Sequence, residues 1–321
     1  MQSDIRRGTD WQDADAQHQA RVNDLMESSA NTGIKTFSDT RETLLRDLNG
    51  LNPPGLQTGF RDVDAAIGYL RPGNMILVCG STGLGKSAFA LNIAIQNAKL
   101  KNRVCIVSVE MKTNEIHERA VAIHTGICPT GVISKTIGET EKREWSRAIN
   151  EVCELPIMVI DEVTGLETIV YRLRNAHRRS KIDLVIVDYA QMISAEGSNR
   201  EQEVARVART FKVLAVSMGI PIILLAQTNR DAEKRKDTKP QLSDIRDSAA
   251  LAQDANMVLM LYRHEIHHPN ERRGEIDVYI RKGRSVGRGI VTLNFHDAST
   301  TFTDMEPSYD HVSVPSDSRK K

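Results

Sequence analysis

The sequence predicts an α/β protein organised around a mostly parallel β-sheet, and three observations carry that prediction. From Thr58 to about Asp304, short apolar runs alternate with helix-length stretches. Strands buried on both faces and separated by helices are what a parallel sheet with right-handed crossovers requires. Residues Gly80–Ser87 read GSTGLGKS, a complete G-x-x-x-x-G-K-S phosphate loop between an apolar run and a helical stretch. The last apolar runs follow one another with no helix between them, which predicts an antiparallel edge.

Taken in order, residues 1–35 are polar and without clear period apart from a weak helical pattern around Trp11–Met26, and read as a mobile arm. Residues 36–57 form a linker. Phe37-Ser38-Asp39 opens a helix with a capping signal, and Phe37, Leu44, Leu45 and Leu48 share one face. Asn49-Gly50 ends that helix, and Pro53-Pro54-Gly55 is a rigid spacer. A short amphipathic helix between linkers has to dock its apolar face on its own domain or on a neighbouring subunit. Residues 58–305 are the core. Strands are predicted at Met75–Gly80, Val104–Glu110, Ile157–Asp161, Leu184–Tyr189, Ile220–Gln227, Met257–Arg263, Glu275–Lys282 and Val291–Phe295. Helices are predicted at Lys86–Leu100, Thr113–Thr125, Glu139–Val152, Leu166–Arg179 and Arg200–Met218. Residues 306–321, ending Arg319-Lys320-Lys321, read as a disordered tail.

Composition narrows the possible functions. A hydrophobic content of 40% supports a substantial core, while 4% aromatic is low, so base stacking is a poor candidate for gripping nucleic acid. A formal charge of +1 leaves nucleic-acid contact to local basic loops. No apolar run reaches the roughly 18 residues of a membrane span, and the polar N-terminus is not a signal peptide. The four cysteines are scattered without a CxxC pair, as expected of reduced thiols in a cytoplasmic protein. His264, His267 and His268 fall in a polar loop and read as solvated, lacking a Cys or carboxylate spacing for zinc.

The phosphate loop implies a nucleoside triphosphate. Its residues Gly80, Ser81, Thr82, Gly83, Leu84, Gly85, Lys86 and Ser87, with Ala88 following, would turn successive N–H groups inward around the phosphates at a helix N-terminus. Lys86 would reach the β- and γ-phosphates, and the Ser87 hydroxyl would take one position on Mg²⁺. Three apolar runs then end in polar groups. Leu184–Val187 ends in Asp188, a candidate Mg²⁺-associated acid, although Ile157–Ile160 ends in Asp161 and competes for the role. Val107-Ser108-Val109 leads to Glu110, a candidate to polarise the attacking water or simply a surface acid capping the next helix. Ile222–Ala226 ends in Gln227, a candidate γ-phosphate sensor or a plain strand terminus.

Together these segments resemble a known family. Gly80–Ser87, Ser108-Val109-Glu110-Met111, Val187-Asp188-Tyr189-Ala190-Gln191 and Ala226-Gln227-Thr228-Asn229-Arg230 are similar to successive motifs of the DnaB-like hexameric replicative helicases, as are Ser243–Ser248 and Gln253-Asp254-Ala255. The resemblance implies a RecA-like fold, a homo-hexameric ring, and ATP- and Mg²⁺-dependent movement along single-stranded DNA. It implies Glu110 as catalytic base, Asp188 as metal-associated acid and Gln227 as sensor. It also implies that Lys282 and Arg284 reach across a subunit interface to a neighbour's ATP, where trans-acting cations contribute about 10³–10⁵ in rate.

In the family the loop after the sensor lines a central channel. Here that loop, TNRDAEKRKDTKPQ over Thr228–Gln241, carries Arg230, Lys234, Arg235, Lys236 and Lys239, and Arg246 and Asp247 match positions on the DNA backbone. Ser194–Arg200 would be the second channel loop, with Gly197 as its flexible point. Departures are Ala249 for a common glycine, Asn256 for a usual acid, and only a single convincing helix in residues 1–57, where the family carries a primase-recruiting domain. The resemblance therefore implies a ring without that collar, its loader and primase unidentified. A recombinase-like filament or a RecA-fold regulatory ATPase ring are the alternatives, and the basic loop argues against the second.

Overall fold

The computed structural model describes residues 36–49, 55–229, 235, 237–245, 249–283 and 289–306. The expected arm 1–35, the residues 307–321 of the expected tail, and the side chains Arg230, Lys234, Lys236, Arg246, Asp247 and Arg284 lie outside these residues.

The chain divides into two units, Met1–Pro54 and Gly55–Lys321. Helix α1 (Phe37–Leu48) belongs to the first and has the bounds its sequence predicts. The Asp39 carboxylate accepts from the Thr36 N–H at 2.7 Å, so the expected capping signal operates. Phe37, Leu44, Leu45 and Leu48 are all exposed.

The second unit holds a nine-stranded sheet in the order β3-β2-β4-β5-β1-β6-β7-β8-β9. Its strands are β1 (Met75–Gly80), β2 (Val104–Ser108), β3 (Ile157–Ile160), β4 (Leu184–Asp188), β5 (Ile222–Gln227), β6 (Met257–Tyr262), β7 (Glu275–Gly283), β8 (Gly289–His296) and β9 (Thr301–Asp304). The first six pair parallel. The last three add an antiparallel edge, as the sequence predicts. The principal helices are α2 (Arg61–Ile67), α3 (Lys86–Lys99), α4 (Thr113–Thr125), α5 (Pro129–Ile133), α6 (Glu139–Cys153), α7 (Leu166–Arg179), α8 (Arg200–Met218) and α9 (Ala249–Asp254).

Successive β-strand side chains point to opposite faces, and β1 shows why its run is apolar throughout. Ile76 and Val78 join one core with Phe89 of α3 and Trp145 of α6. Met75, Leu77 and Cys79 join the other with Leu173 of α7 and Phe211 of α8. Four of these elements escape the sequence reading: α2, α5, α9 and β9. Strand β9 is short and polar in alternation, and it is held by a long-range contact. The buried Asn92 of α3 accepts from the Phe302 N–H at 3.2 Å and donates to the Thr300 carbonyl at 3.1 Å.

The aromatic residues are concentrated. Of the chain's six phenylalanines, Phe60, Phe89, Phe295 and Phe302 form one stack behind the start of α3, with neighbouring ring centroids 4.6–5.4 Å apart. The scarce aromatic area thus braces the phosphate loop from behind.

Candidate nucleotide-binding site

Strand register assembles the site. In the order β2-β4-β5-β1, Ser108 pairs with Asp188 and Gly80 pairs with Gln227, so four adjacent strands end on the same edge of the sheet. Crevices at the carboxyl ends of parallel strands are where α/β proteins bind ligands.

The phosphate loop runs from β1 into α3. Gly85 caps α3 at φ 91°, and a Cβ there would lie 3.3 Å from the rings of Phe295 and Phe302. Gly83 also has positive φ, with open space where a side chain would project, so its requirement is conformational. Lys86 is buried, and its ammonium donates to the Ser81 carbonyl at 2.8 Å. Burial lowers its pKa, against the opposing pull of Asp188, Cys79 and Glu110.

Asp188 is buried at the end of β4, and burial raises its pKa. A hydrogen bond from Ser87 opposes that shift, Glu110 adds to it, and Lys86 and Arg119 of α4 oppose it. Its Oδ1 is buried with no hydrogen-bond partner, and a cavity of about 20 Å³, bordered by Ser87, Ser108 and Asp188, lies beside it. A carboxylate oxygen left open next to a serine hydroxyl is the donor set a hard divalent cation takes. The residues therefore fit a metal bound with nucleotide.

The competing acid, Asp161, has another task. Its Oδ2 accepts from the Thr113 N–H at 2.9 Å and the Thr113 hydroxyl at 2.6 Å, which satisfies the start of α4. Those bonds lower its pKa, the hydroxyl first.

Glu110 is exposed on a turn just beyond β2, since the strand stops at Ser108. That turn is fixed at both ends. The Val109 N–H donates to the Asp188 carbonyl at 2.9 Å. The Ser108 hydroxyl donates to the Met111 carbonyl at 2.7 Å and accepts from the Met111 N–H at 3.1 Å.

Gln227 closes β5. Its N–H donates to the Gln191 side-chain oxygen at 3.1 Å, and the Gln191 amide donates back to the Gln227 carbonyl at 3.3 Å. Arg200, at the start of α8, donates to the Gln191 carbonyl and pairs with Glu203. Gln191 and Arg200 are positioning groups to which the sequence reading gave no role, and Arg119 adds a charge effect on Asp188. Gln191 lies within a quoted motif and Arg200 at the end of the expected second channel loop, while Arg119 has no local signal.

The basic loop after β5 contains one residue used differently from expectation. Arg235 is engaged within the chain. Its guanidinium holds the buried Asp244 through two bonds of 2.8 and 2.7 Å and donates to the Lys239 carbonyl at 3.1 Å. Asp244 also accepts from the Gln241 N–H at 2.7 Å, so the pair folds the end of the loop onto itself. Lys282 is likewise engaged within the chain, where its ammonium donates to the Ala252 and Gln253 carbonyls at 2.7 and 2.8 Å and caps α9. In Ser194–Arg200, Gly197 is a close-packing glycine, because a Cβ would meet the Glu203 nitrogen at 2.8 Å. Asn256, where an acid is usual, accepts from the Met75 N–H at 3.0 Å and from Lys212 at 2.7 Å.

The histidine loop also differs from its reading. The Glu271 carboxylate meets the His264 ring nitrogen at 3.0 Å, and His268 stacks on His264 with centroids 4.4 Å apart. His267 instead stacks on Tyr262 and borders a cavity of about 170 Å³ shared with Ser81, Thr82 and Leu84 of the phosphate loop. Among the described residues no helix is long and apolar enough to cross a membrane.

Comparison with known proteins agrees with this fold. The model of the DnaB-like helicase C terminal domain matches residues 55–304. The replicative DNA helicase DnaB of Buchnera aphidicola (Schizaphis graminum) is 32% identical over 267 residues, 80% of this chain and 57% of the relative. DnaB of Geobacillus stearothermophilus is 30% identical over 311 residues, 91% of this chain and 67% of the relative. The chain therefore spans 57–67% of the length of these relatives. A solved DnaB-like replicative helicase, described with its primase interactions, superposes with a TM-score of 0.77 at 25% identity, covering 90% of this chain and 72% of that one. A solved ATPase domain superposes with a TM-score of 0.80 at 25% identity, covering 85% of this chain and 100% of that one. The expected RecA-like arrangement is thus present, and the match over residues 55–304 makes this chain a member of the DnaB-like helicase C-terminal domain family.

Proposed function

We propose that this chain is the motor of an ATP-driven ring helicase that moves on single-stranded DNA during replication. One observation carries the reading. Lys86, Asp188, the turn holding Glu110, and Gln227 share one sheet edge, and Gln227 leads directly into the basic loop.

Lys86 would exchange the Ser81 carbonyl for the β- and γ-phosphates. Glu110 would hold the attacking water and take its proton. The Mg²⁺ carried with ATP, held by the Ser87 hydroxyl and Asp188, would neutralise charge on the β- and γ-phosphates. Gln227 would feel loss of the γ-phosphate through its side chain, while Gln191 keeps its backbone fixed. Arg230, Lys234, Lys236, Arg246 and Asp247 would then follow the DNA backbone without reading sequence. Arg235 would act indirectly, by anchoring the loop on Asp244.

A ring of six is part of the proposal. The exposed apolar face of α1 offers a docking helix, and Arg284 would act in trans while Lys282 fastens the base of its hairpin to α9. A strand-displacement assay on a forked duplex tests the reading. ATP-dependent displacement that disappears in Lys86→Ala and in Glu110→Gln supports it. Displacement surviving both substitutions contradicts it.

A further inference from the structure

We propose that His264, His268 and Glu271 form a surface site for a divalent transition-metal ion of the zinc class, clipping together the connection between β6 and β7. One ligand atom from each residue lies within 4.8 Å of the others. The donor set of two imidazoles and a carboxylate is the type that zinc accepts, with a fourth position left for water.

The backbone places the three residues rather than leaving them to chance. The His268 N–H donates to the His264 carbonyl at 3.0 Å, and the Glu271 N–H donates to the His268 carbonyl at 2.9 Å. Two consecutive turns thus stack the rings, with centroids 4.4 Å and planes 17° apart, and bring the carboxylate to His264. Tetrahedral zinc with bonds of about 2.0–2.2 Å would need a modest inward rotation of the exposed His268 and Glu271 side chains toward the half-buried His264.

Neighbouring cations do not block the site, because each is engaged elsewhere. Arg272 is paired with Glu275 and Asp277. Arg273 donates to the Pro269 carbonyl and the Asn270 side chain. Arg263 is paired with Glu265 and Asp297. The same connection carries Ile266 and His267 on the wall of the cavity shared with the phosphate loop, so a metal clip would stiffen that wall.

The test uses the full chain without nucleotide, in excess Mg²⁺ to occupy the phosphate-loop site, titrated with Zn²⁺ by calorimetry. Hydrogen exchange over 263–274 is followed in parallel. The expected result is one equivalent bound, slower exchange over that segment, and affinity lowered at least about tenfold by His264→Ala, by His268→Ala and by the shape-conserving Glu271→Gln. A tenfold loss is the low end for weakened metal support. The double variant His117→Ala/Cys153→Ser, which removes a His–Cys contact at 3.6 Å outside the proposed site, should bind as the parent does. Absence of Zn²⁺ binding by the parent chain would overturn the proposal. So would undiminished binding by folded His264→Ala/His268→Ala protein, or loss of binding only in the His117/Cys153 variant.

Discussion

The side chain of Gln191 closes a two-point clasp on the backbone of Gln227, accepting from its N–H at 3.1 Å and donating to its carbonyl at 3.3 Å. The clasp joins the segment after β4, which carries Asp188, to the end of β5, where the basic loop begins. On the proposed function, the metal-side and loop-side groups would therefore share one hydrogen-bonded link. Gln191→Ala should lower stability by about 1–2 kcal/mol through the lost bonds. It should reduce DNA-stimulated hydrolysis more than basal hydrolysis, as paired assays with and without single-stranded DNA would read.

On the proposed function, Asp188 would trade stability for metal binding. Its folded-state pKa is raised, chiefly by burial, so the folded chain binds more protons than the unfolded chain just above pH 3.8, the ordinary carboxylate value. Stability therefore falls as pH rises through that window, and Asp188 lowers stability at neutral pH. Asp188→Asn should raise stability of the nucleotide-free protein at pH 7 by about 0.5–2 kcal/mol while abolishing hydrolysis. Urea melts at pH 7 check the sign, and an Asn variant less stable than the parent would contradict it.

Arg235 and its lysine neighbours should separate experimentally. Arg235→Ala leaves the buried Asp244 with a backbone partner but no cation, costing about 1–3 kcal/mol. Lysine should restore little of this because it lacks the planar two-point geometry. Lys234→Ala or Lys236→Ala should leave the melting temperature nearly unchanged and reduce the salt slope of DNA binding by about one. Thermal melts and salt-titrated DNA binding on the same variants distinguish the two roles.

Gly85→Ala tests the brace behind the phosphate loop. The left-handed φ alone costs an L-residue about 1–2 kcal/mol. The added methyl must also displace Phe295 or Phe302, each 3.3 Å away. Nucleotide affinity, measured by titration, should fall at least tenfold, whereas Gly83→Ala, with open space around it, should show the conformational cost alone.

Much of this architecture was legible because parallel strands are apolar on both faces. The runs at β1, β2 and β4 need no alternation to be seen, and the phosphate loop carries its own spacing. The strand-end residues Asp188 and Gln227 stand out as polar terminators, whereas the engagement of Asp161 by Thr113 is visible only in the fold. What escaped the sequence depends on distance along the chain. Strand β9 rests on Asn92, more than 200 residues away. The engagement of Arg235 by Asp244 cannot be told from solvated charge in a linear reading, and neither can Glu271 folding back to His264.

The most direct measurement is steady-state ATP hydrolysis with and without single-stranded DNA, with the mass of the assembly followed by light scattering. The account predicts strong stimulation by DNA and a hexameric mass. Turnover indifferent to DNA would contradict the coupling from the nucleotide site through Gln227 to the basic loop.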